Sequence, residues 1–415
     1  MNRSPGLWVL LLLLNCPLLS VAQTGKVAIT NIQVFTEPFI PPIENATILI
    51  SRGKFRKIGP ADRVKIPKGY QIVKGEGKYA TAGYWNSHVH FMEAKWNNAA
   101  EIPGDSLEAM FRDMFTSRGF VYVFDLAQID FQNLNLLRTR AIHEKLKSPT
   151  ILAVGVPFTS KSPFYIEPLR LPELKSAEEV RGHINDQLRQ GANGIKIWTA
   201  SPTGTRIDYL PEALIREASR LTRERNIPLI AHPSNLRGVE IAVDNGVSVL
   251  AHVAADDRVV WDSVLVEKMV TRDVALIPTL KLHFWDLRMA GIPPANNPLT
   301  NTAVAQLRAF HQRGGLVLFG TDVGYMDDYD IVEELTRMQM ADMRFDQILA
   351  SLTLHPASRF DHSGKTGKIG AGKCADLVIL NENPALDIRG FSKVHMTIHN
   401  GRIIYHQGVD EQNSP

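Results

Sequence analysis

The segment TAGYWNSHVHF, residues 81–91, carries two histidines one residue apart, His88 and His90. Side chains on an extended chain alternate with period two, so both imidazoles project from the same face and form half of a metal site. Alone, such a pair reads equally well as part of the polar face of a surface strand. Four later strand-like runs change the balance, because each ends in a further polar group: Lys196 in GANGIKIW, His232 in IPLIAHP, His252 in VSVLAHV and Asp322 in LVLFGTD.

Outward from that segment, helix and strand signals alternate. SLEAMFRDMFTSRG places Leu107, Met110, Phe111, Met114 and Phe115 at helical spacing and stops at Gly119. SAEEVRGHINDQLRQG opens with Ser176 and Glu179 at capping-box spacing, and PEALIREASRLTRERN starts on Pro211, which suits a first helical turn. The apolar runs GFVYVFDL, PTILAVGV, GIKIW, IPLIAHP, VSVLAHV, VALIPTL and LVLFGTD, with YWNSHVH in front, make eight strands. Over residues 81–365 this pattern predicts an α/β fold of the (β/α)8 TIM-barrel type; an open doubly wound sheet fits less well, because the glycine-rich dinucleotide loop is missing. In such a barrel the chemistry lies at the C-terminal strand ends, where His90, Lys196, His232, His252 and Asp322 all fall. Lys196 and His232 are 36 residues apart, roughly one strand–helix unit, and His252 and Asp322 are 70 apart, roughly two. Residues 23–80 and 366–415 instead read as short strands with turns rich in Gly, Pro and Asn, and predict a small β-sandwich domain built from both termini.

A chain of 415 residues with 44% hydrophobic content has room for a barrel and a smaller companion. Net charge of +3 without a basic run argues against a nucleic-acid or anionic-membrane partner, leaving a small-molecule substrate; a homo-oligomer is compatible with this composition. Residues 1–22 read as a signal peptide: Arg3 precedes the apolar run from Leu7 to Leu14, and Ser20-Val21-Ala22 is a small-x-small site. The expected location is therefore periplasmic or secreted, with no stable membrane insertion after signal removal. A retained anchor and a lipidated Cys16 are the alternatives, the second disfavoured by Asn15. With the signal removed only Cys374 remains, which predicts no intramolecular disulfide and no cysteine metal site, and places an inert thiol in an apolar strand.

Neutral imidazoles and a carboxylate are good ligands for zinc and similar divalent ions, and three or four per metal leave a position for water. Lysine does not fit that set, since an ammonium would be repelled by the ions. Lys196 is then either a buried salt-bridge residue or modified; reaction with CO2 would turn its amine into an anionic carbamate with two oxygens.

Together these residues resemble the amidohydrolase superfamily in its binuclear form with a carbamylated lysine. The resemblance covers nearly all of the chain after residue 22, including the split β domain and the segment GKCADLVIL. GANGIKIW, AHVA and GTDVG look most like the branch of imidazolonepropionase-related enzymes and Xaa-Pro dipeptidases, and Lys196 points to its dipeptidase-like side. One departure is Asn86, where the family usually has an aspartate. The resemblance implies two divalent ions, zinc first among them, with His88, His90 and Asp322 on one, His232 and His252 on the other, and the Lys196 carbamate bridging. It implies hydrolysis of an amide C–N bond in a dipeptide, N-acyl amino acid or cyclic amide, with Asp322 carrying the proton. An ester, lactone or phosphotriester substrate is the alternative on the same site, and a non-catalytic binding protein on the same scaffold is the third reading.

For the substrate pocket the loops after the strands offer Glu93, Lys95, Trp96, Tyr165, His283, Trp285 and Tyr325, with His283 as a catalytic hydrogen-bond donor to the substrate carbonyl. His143, His183 and His311 fall on helices and are expected to face solvent. His355, His362, His395, His399 and His406, without acidic partners at ligand spacing, are expected at the surface or in turns.

Overall fold

The computed structural model describes residues 25–361 and 363–409; the expected signal segment and His362 lie outside them. The fold is mixed α/β. Seven short parallel strands form its centre in two sheets: Tyr84–Val89, Phe120–Asp125 and Thr150–Ala153 in one, and Ile195–Trp198, Leu229–His232, Val249–Ala251 and Ala275–Ile277 in the other. Almost every residue of these strands is buried, the signature of parallel strands covered on both faces. Isolated parallel bridges link Phe158 to Ile197, Leu276 to Val317 and Val89 to Val323. The LVLFGTD run therefore lies between the edge strands Ala275–Ile277 and Tyr84–Val89, with Leu318 N donating to Leu276 O (2.8 Å) and Ser87 N to Phe319 O (2.8 Å).

Helices pack outside the strands. Gly104–Met114 buries Leu107, Phe111 and Met114, one face at spacings of four and three residues, and the chain turns at Gly119 in the left-handed conformation. Ala177–Arg189 starts as its sequence predicts: the Ser176 hydroxyl accepts from Glu179 N, while the Glu179 carboxylate reaches one residue further back, to Lys175 N. Each fully buried ring on these faces, such as Phe111, contributes roughly 2 kcal/mol of burial.

The terminal segments form one antiparallel-rich sheet. Tyr79–Ala82 pairs in parallel with Lys26–Val34 and antiparallel with Leu377–Leu380, so the two ends of the chain meet on that strand. Hydrogen bonding joins all eight terminal strands into a single branched sheet, where a sandwich of two sheets was expected. The cause is Lys26–Val34, whose first half pairs with Gln71–Lys74 and whose end pairs with Tyr79–Ala82 along the same edge, so no second sheet separates. Asn400 and Gly401, both at positive φ, make the tight turn between Val394–His399 and Arg402–His406.

Several histidine assignments change. His399 is buried, with Nδ1 2.8 Å from Asp376 Oδ1 and Nε2 2.9 Å from Thr150 Oγ1, while Tyr122 donates to Asp376 Oδ2; the trio ties the terminal sheet to the central strands. His311 is also buried, 2.6 Å from Ala341 O, and His183 is half-buried against Val156 O. His355 is half-buried against Val317 O, whereas His143 is exposed as expected. Cys374 is a free, half-buried cysteine bridged to Lys54, before rather than within the strand Leu377–Leu380. Among the described residues no helix is long and apolar enough to cross a membrane.

Candidate metal centre

His88 and His90 stand at the C-terminal end of Tyr84–Val89 with their Nε2 atoms 3.2 Å apart. Asp322 Oδ1 lies 3.2 Å from His88 Nε2 and 2.8 Å from His90 Nε2, and Asp322 Oδ2 lies 3.8 Å from His252 Nδ1. Ligand atoms of His88, His252 and Asp322 fall within 4.8 Å of one another. Yet Asp322 Oδ1, buried, has no hydrogen bond among the described residues, and neither has His88 Nδ1. The nitrogen and carboxylate atoms of His88, His90 and Asp322 thus converge on one small volume, an arrangement that suits a divalent cation.

The backbone holds these groups in unusual conformations. His252, Thr279 and Asp322 adopt φ of 83°, 42° and 61°. Such left-handed conformations cost about 1–3 kcal/mol each and persist only where the surroundings over-determine them. Here His252 N donates to Ile277 O and Asp322 N to His88 O. Gly324, at φ 95°, passes so close to the His90 carbonyl that a Cβ would sit 1.8 Å from its oxygen.

Neighbouring side chains orient the candidate ligand groups. Thr279 Oγ1 lies 2.6 Å from His252 Nδ1, which leaves Nε2 as that ring's available coordinating atom. Asp125 Oδ1 is 3.7 Å from His90 Nδ1 and accepts from Ala127 N, while its Oδ2 accepts from Phe91 N. Asn86, the departure noted from the resemblance, is fully connected: its Oδ1 accepts from His88 N and Thr321 N, and its Nδ2 donates to Thr321 Oγ1 at 2.7 Å. The first strand is thus tied to the GTD segment. Asp125 ends the GFVYVFD run, so the strand-end rule that selects the candidate ligands reaches this neighbouring carboxylate too.

Lys196 and His232 complete the ring of polar groups. His232 lies under the Trp198 ring (4.9 Å, 11°), and the Tyr165 hydroxyl, which accepts from Trp198 Nε1, is 3.3 Å from His232 Nε2. Its ring is 4.7 Å from that of His252. Lys196, 2% exposed, places Nζ 5.1 Å from the Trp198 ring centre. Burial pulls its amine down to about 7 against the opposing pull of Asp322 and Asp125. Burial, joined by Lys196 and neighbouring imidazoles, also holds His88, His232 and His252 well below the usual histidine range, in the neutral form that binds metals. At His90 burial acts in the same direction, but Asp125 and Asp322 override it and raise the ring to about 9.

All seven expected site residues, His88, His90, Lys196, His232, His252, His283 and Asp322, line one cavity of about 560 Å³. Of the remaining pocket candidates, Tyr165 and Tyr325 line it. Trp96 does not: it is 0% exposed and packs against Phe91 and Phe111. Glu93 and Lys95 pair with each other and with Tyr329 instead, and Trp285 packs edge-on to Tyr325 outside the lining. Asp256 and Asp286 line the cavity and went unnoticed in the sequence; Asp286 lies three residues after His283, on the same face of the helix Leu280–Met289.

Residues 79–404 match the model of the Amidohydrolase family. Ochratoxinase from Aspergillus niger is 26% identical over 236 residues, which are 54% of this chain and 48% of that protein; the chain thus aligns with about half the length of this relative. Among solved structures, a Xaa-Pro dipeptidase with methionine bound in its active site superposes with a TM-score of 0.77 at 18% identity, covering 92% of this chain and 100% of that one. The A. niger ochratoxinase structure superposes with a TM-score of 0.74 at 18% identity, covering 92% and 97%.

Proposed function

Because the chain belongs to the amidohydrolase family, we propose that it is a metal-dependent hydrolase that cleaves an amide C–N bond in a small molecule. The observation that carries this reading is the convergence of His88, His252 and Asp322 in one cavity around a buried carboxylate oxygen without a hydrogen bond. Two divalent ions, zinc first among the candidates, held by His88, His90 and Asp322 and by His232 and His252, with a carbamate on Lys196 between, would supply Lewis acidity that polarises the carbonyl and acidifies water.

The chain's own residues handle position and protons. Asp322, a buried carboxylate with an uncommitted oxygen, accepts a proton from the attacking water and delivers it to the nitrogen that leaves as the C–N bond breaks. His283 is 7% exposed, its Nε2 has no partner among the described residues, and burial lowers its ring to about 4. A neutral imidazole with its proton on Nε2 donates to the substrate carbonyl oxygen as negative charge builds there. A buried Lys196 amine held near neutrality supports the carbamate, since the neutral amine is the form that reacts with CO2.

The architecture we propose is a closed (β/α)8 barrel over residues 81–365 with a companion β domain from 23–80 and 366–415. The bridges from Phe158 to Ile197, Leu276 to Val317 and Val89 to Val323 support closure, because they connect the two parallel sheets at both seams. Export is proposed from residues 1–22 alone.

Incubating the purified enzyme with a chelator is expected to abolish hydrolysis of a panel of dipeptides and N-acyl amino acids, and zinc with bicarbonate to restore it. Amide turnover that survives complete metal removal would refute the reading, as would hydrolysis of lactones or phosphotriesters with none of amides.

A further inference from the structure

Charge is divided unevenly along the chain. Residues 25–80 hold ten Lys and Arg against four Asp and Glu, whereas residues 81–365 hold 30 against 34. The net charge of +3 therefore conceals a basic terminal segment beside an acidic central part, and does not exclude an anionic partner for the first of them.

The fold gathers this excess on one face of the terminal sheet. Lys26–Val34 lies between Ile43–Ser51 and Gln71–Lys74, with Ala28 beside Leu49 and Ile72, and Leu49 is followed by Lys57 on the edge strand Lys54–Pro60. Side chains alternate along a strand, so Val27, Ile29, Ile48 and Ile50 turn to the opposite face, into the core that Leu377 and Ile379 complete. On the outer face Val64 and Tyr70 pack on Ala28 and Leu49, which brings residues 61–70 over the sheet, and Lys57 Nζ donates to Arg63 O at 3.1 Å. That segment presents Lys65, Ile66 and Lys68 to solvent. Ile72, 57% exposed, and Lys74 follow on the same face of the adjoining strand. The ammonium groups of Lys65, Lys68 and Lys74 make no hydrogen bond or ion pair among the described residues. Of the acids here, Asp62 is exposed and Glu76 accepts from Asn31 Nδ2.

The chain reaches this sheet at Gly25, whose carbonyl accepts from Arg52 N, so residues 1–24 with their apolar run from Leu7 to Leu14 join at the basic part of the molecule. Aliphatic side chains set among lysines favour a bilayer over a nucleic acid. Ile66 and Ile72 gain nothing from phosphates, and Tyr70, which could stack on a base, is packed on Ala28 and Leu49.

We propose that this outer face, with Lys65, Ile66, Lys68, Ile72 and Lys74 at its centre, rests on an anionic phospholipid bilayer and holds the enzyme at a membrane surface as a peripheral protein. The lysines supply attraction to the headgroups that salt screens, and the isoleucines add apolar burial at the interface. The inference does not depend on the hydrolase reading.

The test uses the enzyme as processed by the cells that express it, sedimented with vesicles of phosphatidylcholine alone or mixed with phosphatidylglycerol. Binding to the mixed vesicles is expected to be at least about tenfold stronger than to the neutral ones, and to be lost at high salt. Lys65→Gln with Lys68→Gln and Lys74→Gln is expected to weaken it by about tenfold or more, while Lys145→Gln with Lys161→Gln and Lys175→Gln, an equal loss of charge from the central part, leaves it unchanged. Ile66→Ser with Ile72→Ser is expected to weaken it by about tenfold as well, which a purely polyanion-binding face would not show. Absence of binding, equal binding to both vesicle types, binding that survives high salt, or unaltered affinity in the Lys65, Lys68 and Lys74 variant would overturn the proposal. So would full displacement of the vesicles by single-stranded RNA, which would make this a nucleic-acid surface instead.

Discussion

Asp322→Asn is expected to suppress amide turnover by at least about a hundredfold, the lower range of general acid–base contributions and about 2.7 kcal/mol of barrier, with most of the bound metal retained. The substitution is nearly isosteric. It keeps one oxygen where Oδ1 now faces His88 and His90, so metal binding is weakened rather than abolished. It removes the negative charge and the basicity that let this side chain accept a proton and hand it to the leaving nitrogen. Backbone geometry isolates the effect, because the left-handed φ of 61° and the bond from Asp322 N to His88 O do not depend on the carboxylate. Metal content and turnover should therefore separate, with kcat falling at nearly constant occupancy. Near-normal turnover would remove Asp322 from the proton-transfer role, and a loss of metal in proportion to activity would reduce it to a ligand.

Lys196→Ala is expected to do what Asp322→Asn does not, expelling at least one metal ion and carrying activity down by more than about a hundredfold. A carbamate contributes two oxygens and one negative charge between two cations, and alanine supplies neither. The side chain is buried beside Trp198, so its truncation leaves a space shaped for a small carboxylate. Added short carboxylic acids are expected to restore part of the metal content and part of the rate, a response that a purely structural lysine would not produce. Lys196→Ala with full metal content and normal turnover would exclude the bridge.

Nine of the side chains lining this cavity were legible in the sequence, because a parallel α/β fold puts its chemistry where strands end and in the loops that follow, and strand ends can be read from apolar runs. LVLFGTD illustrates the limit. It supplies Asp322, yet it makes only isolated bridges and single bonds to its neighbours, because the chain turns sharply through Gly320, Asp322 and Gly324 to pass His88 and His90. What stayed hidden depends on partners distant in sequence. His311 and His399 look like surface residues until Ala341 O and Asp376 are brought to them. Trp96 looks like a loop aromatic suited to a pocket, but Phe91 and Phe111 enclose it. Asn86 looks like the loss of a supporting acid until Thr321, 235 residues away, shows the amide serving as donor and acceptor at once. The branched terminal sheet was likewise illegible, since nothing in Lys26–Val34 itself says that two different strands share its edge.

The most direct test of the metal-centre assignment is the metal-to-protein ratio, by elemental analysis, of the full-length enzyme expressed with added zinc and bicarbonate and purified without chelators. About two divalent ions per chain are expected from six ligand groups shared between two sites. A ratio fixed near one in fully active enzyme would contradict the binuclear centre, and active enzyme without metal would contradict the metal site altogether.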